Sequence, residues 1–213
     1  VARRLLRGPH AVGRVIARPF VGEQGAFSRT AGRRDFSVPP PAETVLERLS
    51  TADVRVYAVG KIQDIFSGQG ITEARYSGSD DHGVDLTLEY LKRPGPALVF
   101  TNLVDFDSKF GHRNDPIGYA AAIEAFDARL PALIDALADG VLFVTGDHGC
   151  DPTTPSTDHT RERTPILAAG LTGGPVELGT RPTFGDLGRT ITELLGGEVN
   201  GLLGTSFGSS LRD

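Results

Sequence analysis

The chain has 213 residues, 39% hydrophobic and 23% charged, which suits one globular domain or one domain with a small appendage. No apolar run approaches the roughly 18 residues needed to cross a bilayer, and Arg3, Arg4 and Arg7 lead into no apolar stretch, so neither a membrane partner nor a secretory signal is expected. The net charge of −5 is uneven: residues 1–34 set eight Arg against Glu23, leaving −12 on residues 35–213, a local basic patch that suits an anionic ligand and, with no nucleic-acid-binding motif beside it, argues against nucleic acid.

Elements follow in chain order. Arg14 to Phe20 reads as a short strand closed by Pro19, within an Arg- and Gly-rich stretch, and Pro39-Pro40-Pro41 reads as a stiff connector and domain boundary. A short helix is expected over 44–49 and a strand over 54–60, with Lys61 at its carboxyl end. The Gly-rich loop 67–70 precedes a helix over 80–92 behind a Ser/Asp cap. A buried-type strand is expected over 97–104. One helix is expected over 117–137, because Ile123, Phe126, Leu130, Leu133 and Leu137 recur at steps of three and four. Strands over 141–145 and 165–169 and a helix over 184–195 complete the pattern. Strands alternating with helices predict an α/β fold with a largely parallel sheet covered on both faces.

Two of these strands end in clusters of hard ligands, Asp105-Phe106-Asp107 through His112 and Asp147-His148, and a third cluster surrounds His159. Ligands of open α/β sheets gather at the carboxyl ends of strands. Carboxylates and imidazoles suit borderline divalent ions such as Mn²⁺ or Zn²⁺, and two adjacent ions can clamp a phosphoryl group. Three of the five His lie in these segments. Spacing leaves Asp105 and Asp107 as alternatives. Asp151 and Asp158 read as turn formers, Cys150 as a packed thiol with soft ligation as the alternative, and His10 and His82 as structural or exposed. The single Cys rules out an intrachain disulfide and points to a reducing cytoplasm. The chain has no Met, even at position 1, so it reads as a fragment; a processed start in a Met-poor protein is the alternative.

The strings VGRVIARPF (12–20), VGKIQDIF (59–66), NLVDFD with GHR (102–113), DHGCDP (147–152), TDHTRE (157–162) and GTSF (204–207) resemble, in order and along the whole chain, those of phosphopentomutases of the alkaline-phosphatase superfamily. That resemblance implies a di-manganese site, other divalent metals being possible, with Asp147 and His148 on one ion and Asp107, His112 and His159 on the other. It implies that Arg14, Arg29 and Lys61 contact a pentose phosphate substrate, Arg29 having an ion pair as its alternative role. It further implies an alkaline-phosphatase-like core at 38–213, a remnant of a smaller α+β cap at 1–37, and phosphoryl transfer through a phosphorylated Thr with a sugar bisphosphate intermediate. The family's nucleophilic Thr and a further Asp ligand have no counterpart here, so no catalytic nucleophile is assigned and the isolated chain is expected to be inactive. Another phosphomutase or phosphatase of the superfamily, or a non-catalytic metal-binding module, are the alternatives.

Overall fold

The computed structural model describes residues 1–30, 32–170 and 175–211. After a short helix α1 (Ala2–Leu5), the first part is built from two antiparallel ribbons. Strand β1 (Arg14–Ala17) pairs with β4 (Arg34–Ser37), and β2 (Phe20–Val21) pairs with β3 (Ser28–Arg29). The strand expected over 14–20 is therefore interrupted, because Pro19 cannot donate to a ladder.

The centre of the molecule is a parallel three-stranded sheet in the order β6 (Glu73–Arg75), β5 (Arg55–Val59), β7 (Ala97–Thr101). Successive β5 side chains point to opposite faces, and both faces are covered. Val56 and Ala58 pack with Leu46 and Leu49 of α2 (Val45–Thr51) and with Ile62 of α3 (Ile62–Ile65). Tyr57 and Val59 pack with Leu86 and Tyr90 of α4 (Asp80–Leu91). Helix α2 starts at a capping box, in which the Glu47 amide donates to Thr44 Oγ1 at 3.3 Å and the Thr44 amide donates to Glu47 Oε2 at 2.8 Å. The Gly-rich loop serves packing: a Cβ on Gly70, at φ +69°, would stand 2.4 Å from the Glu47 nitrogen.

The single helix expected over 117–137 is two, α5 (Pro116–Asp127) and α6 (Leu130–Asp135). Pro131 lacks an N–H and its ring clashes with the carbonyl four residues back, so the first helix stops there and the second begins with Pro in its first turn. Leu133 and Leu137 are buried, but Ile123 is 50% exposed and Ile117 82%.

Strands β8 (Leu142–Thr145) and β9 (Ile166–Ala169) lie where expected but pair antiparallel with each other. Neither they nor β7 are fully buried; Leu167 is 60% exposed. Among the described residues β7 is hydrogen-bonded on one side, to β5, and β8 to β9. Helix α7 (Gly185–Leu194) anchors the C-terminal segment. Buried Asp186 receives Arg181 Nε at 2.8 Å and the Thr205 amide at 2.8 Å, and Thr190 Oγ1 accepts from the Phe207 amide at 3.0 Å. Phe207 then packs edge-on against Phe143 of β8, ring centroids 6.2 Å apart. No helix is long and apolar enough to cross a membrane among the described residues.

Candidate metal centre

The ends of β7 and β8 carry the polar clusters. Beyond β7 the chain enters a π-helical turn, Phe106–Phe110, and then a short 3₁₀ turn, Gly111–Arg113. Such wide turns are rare and are frequent at functional sites. The first turn presents Asp107 and the second His112. Beyond β8, Asp147 and His148 lead to Gly149, which bridges to Thr160 and so draws the His159 loop alongside. Both approaches need a missing side chain. A Cβ on Gly149 would lie 2.4 Å from the Thr160 oxygen, and one on Gly111 2.2 Å from Cys150 Sγ.

Asp107, His112 and His159 meet: their ligand atoms all lie within 4.8 Å of one another. Asp107 Oδ1 is 3.2 Å from His112 Nε2 and 3.2 Å from His159 Nε2. His148 stacks on His159 with centroids 3.6 Å apart, and its Nε2 is 3.6 Å from Asp147 Oδ1. The half-exposed loops thus bring the five expected ligands into one neighbourhood, with Asp107 the more covered carboxylate and Asp147 the more open.

The donor set fits a cation. His112 Nδ1 lies 2.5 Å from the Thr157 carbonyl oxygen, which can only accept, so Nδ1 carries a proton and, in the neutral ring, Nε2 is the lone-pair atom that faces Asp107. His148 Nδ1 is fixed in the same way by the Gly149 carbonyl, at 3.0 Å. Asp107 Oδ1 is itself buried without a hydrogen-bond partner. Acceptors facing one another across 3.2 Å are repulsive unless a positive charge sits among them. Imidazoles whose second nitrogen donates to a carbonyl are a recurrent support of metal sites.

Asp105, the alternative to Asp107, faces elsewhere: its Oδ2 accepts from the Asp80 amide at 3.2 Å and from Lys109 Nζ at 2.8 Å. Asp151 accepts from the amide and hydroxyl of Thr153 and forms a turn, and Asp158 follows a Ser156 turn of its own. His82 takes the Gly78 amide on Nδ1 at 3.1 Å, a local structural contact. The Cys150 thiol is pushed up in pKa by burial first and by Asp107 second. Arg14 pairs with Asp35 at 3.3 Å on the β1–β4 ribbon, Lys61 sits between β5 and α3, and neither touches the His cluster. The side chain of Arg29 lies outside the described residues. The two backbone carbonyls that orient His112 and His148 carry no signal in the sequence, because every residue has one.

Residues 23–199 match the Metalloenzyme superfamily. Phosphopentomutase from Clostridium novyi (strain NT) is 57% identical over 196 residues, covering 91% of this chain and 50% of that protein. Phosphopentomutase from Anaeromyxobacter sp. (strain K) is 55% identical over 207 residues, covering 97% and 53%. Phosphopentomutase from Kosmotoga olearia is 52% identical over 216 residues, covering 100% and 55%. The chain spans about half the length of the curated relatives it matches. Among solved structures, that of the PH0037 protein from Pyrococcus horikoshii superimposes with a TM-score of 0.50 at 19% identity, covering 65% of this chain and 38% of that one, a likeness of fold alone.

Proposed function

The chain belongs to the Metalloenzyme superfamily, and from that membership we propose that it forms part of a phosphopentomutase, which interconverts the 1- and 5-phosphates of ribose or deoxyribose. The observation that carries this reading is the convergence of Asp107 Oδ1 with two imidazoles in a chain so similar to phosphopentomutases. Asp107, His112 and His159 hold one divalent ion, and Asp147 and His148 contribute to a second. When bound, a pair of such ions, Mn²⁺ in this reading, neutralises the charge that builds on a transferring phosphoryl group.

The chain's own side chains do the rest of the work assigned here. Arg14 and Arg29 offer planar guanidinium groups for two-pronged contact with a sugar phosphate, and Lys61 adds a point charge at the carboxyl end of β5. Arg14 Nη1 lies 3.3 Å from Asp35 Oδ2, a carboxylate that Arg33 holds by both oxygens at 2.7 and 2.8 Å. The phosphorylated Thr that passes the phosphate on is not assigned to any of these residues, and a sugar bisphosphate is the activating species. Residues 1–37 belong to a cap domain and 38–213 to the metal-binding core, in a cytoplasmic enzyme of pentose phosphate and nucleotide metabolism.

The test is interconversion of ribose 1-phosphate and ribose 5-phosphate by the intact protein with Mn²⁺, beside phosphoglycerate as a competing substrate. Pentose turnover that is lost in Asp107→Asn and in His159→Ala supports the reading. Preference for phosphoglycerate, or pentose turnover that survives Asp107→Asn, sinks it.

A further inference from the structure

We propose that Asp80 is a positioning residue for Asp107, acting from helix α4 through the backbone of Asp105; the proposal rests on the metal-centre reading above. The two aspartates form a closed ring. The Asp105 amide donates to Asp80 Oδ1 at 2.9 Å, and the Asp80 amide donates to Asp105 Oδ2 at 3.2 Å. Lys109 Nζ closes on the same Asp105 oxygen at 2.8 Å, from the far end of the π-helical turn. The ring therefore grips the residue that leads into the turn, and Lys109 near the turn's end is tied back to it.

Its other end is anchored on a helix with little freedom. Leu86 and Tyr90 of α4 are in the core. Gly83 lets Leu103 approach so closely that a Cβ there would lie 2.8 Å from Leu103 Cδ2. Thr87 and Thr101 join hydroxyls at 2.6 Å, fixing α4 to β7 just before the turn. Ser79 caps the helix by accepting the His82 amide at 3.2 Å. Position is thus transmitted from the core through α4 to Asp80, from Asp80 to the Asp105 backbone, and over two residues to the Asp107 carboxylate. That carboxylate has to stand equidistant from two imidazoles, 3.2 Å from each. Without the Asp80 acceptor the Asp105 N–H loses its partner and the start of the turn is released. A supporting residue of this kind is worth about 10- to 100-fold in metal affinity.

The experiment is calorimetric titration of the metal-free intact protein with MnCl₂, with apo thermal unfolding measured alongside. Asp80→Ala weakens Mn²⁺ binding about 10- to 100-fold. Asp80→Asn keeps an oxygen acceptor in place and stays within about threefold of wild type, the conservative rescue expected when the hydrogen bond and not the charge positions the turn. Asp81→Ala, one residue on and paired with Arg129 instead, keeps wild-type affinity even where it lowers the melting temperature. Asp80→Glu retains the charge favoured at a helix N-terminus but displaces the acceptor, and it too weakens binding; it carries the test if the alanine variant fails to fold. Wild-type affinity in Asp80→Ala or Asp80→Glu, or an Asn variant as weak as the alanine one, overturns the proposal. Failure of the metal-centre reading looks different: Asp107→Asn would then bind Mn²⁺ as wild type does.

Discussion

His148 and His159 lie face to face, ring centroids 3.6 Å and planes 15° apart, although they come from different loops. His148 belongs with Asp147, while His159 belongs with Asp107 and His112. In the proposed metal centre the stack is therefore the wall shared by two ligand sets. Removing His159 takes a ligand from one set and the orienting neighbour from the other. Titration of His159→Ala with Mn²⁺ is expected to weaken both binding steps by about tenfold or more, whereas Asp147→Asn weakens one. Two steps of unchanged affinity in His159→Ala would show that the stack is incidental.

Gly149→Ala should be costly although it adds one methyl group. The new Cβ has no room between the Thr160 oxygen at 2.4 Å and the Glu162 nitrogen at 2.6 Å, both of which are backbone atoms. The expected loss is about 1–3 kcal/mol in urea unfolding, and Mn²⁺ binding falls with it because His148 and His159 flank the bridge.

Arg181→Ala leaves Asp186, 1% exposed, without its cation. Removing one partner of such a pair costs about 3–5 kcal/mol, read as a shift of the urea midpoint. The damage reaches β8 through Phe207 and Phe143. A loss below about 1 kcal/mol would mean that the Thr205 and Phe207 amide hydrogen bonds of the α7 clasp suffice.

Alkaline pH should destabilise the protein through Tyr90. Burial, and next the hydrogen bond from its hydroxyl to Glu73, push this phenol from its usual 10 up to about 12. Between pH 10 and 12 the unfolded chain has released the proton and the folded chain has kept it, so stability present below pH 10 is lost as pH rises through 12. The urea midpoint is expected to fall between about pH 9.5 and 11.5 more steeply in the wild type than in Tyr90→Phe, a variant that loses ~1 kcal/mol at neutral pH with its one hydrogen bond. Equal slopes would remove Tyr90 from the account.

The placement of the candidate ligands was legible because hard ligands stand out just after apolar runs. Asp107, His112, Asp147 and His148 follow β7 and β8 as the pattern required. Three other features were hidden. Asp80 reads in sequence as an ordinary acid in the first turn of a helix, and its partner stands 25 residues away. Strand β6 is three residues long and too short for any period. The antiparallel pairing of β8 with β9 depends on how the chain returns through the 146–165 loop, which periodicity does not encode. The break at Pro131 was in plain view: apolar spacing at three and four continued across it, and the missing N–H decided the outcome.

The chain has no Trp and four Tyr. Two of them, Tyr57 and Tyr90, are stacked in the core at 4.5 Å with rings 9° from parallel, and Arg93 lies over both. Near-ultraviolet circular dichroism, the signal that vanishes when side-chain packing is lost, is thus expected to report on this locked pair of phenols between β5 and α4. The same pair holds the helix from which Asp80 bonds the Asp105 backbone, so this protein brings its own optical gauge of whether the proposed support is intact, readable with no label and with no ion bound.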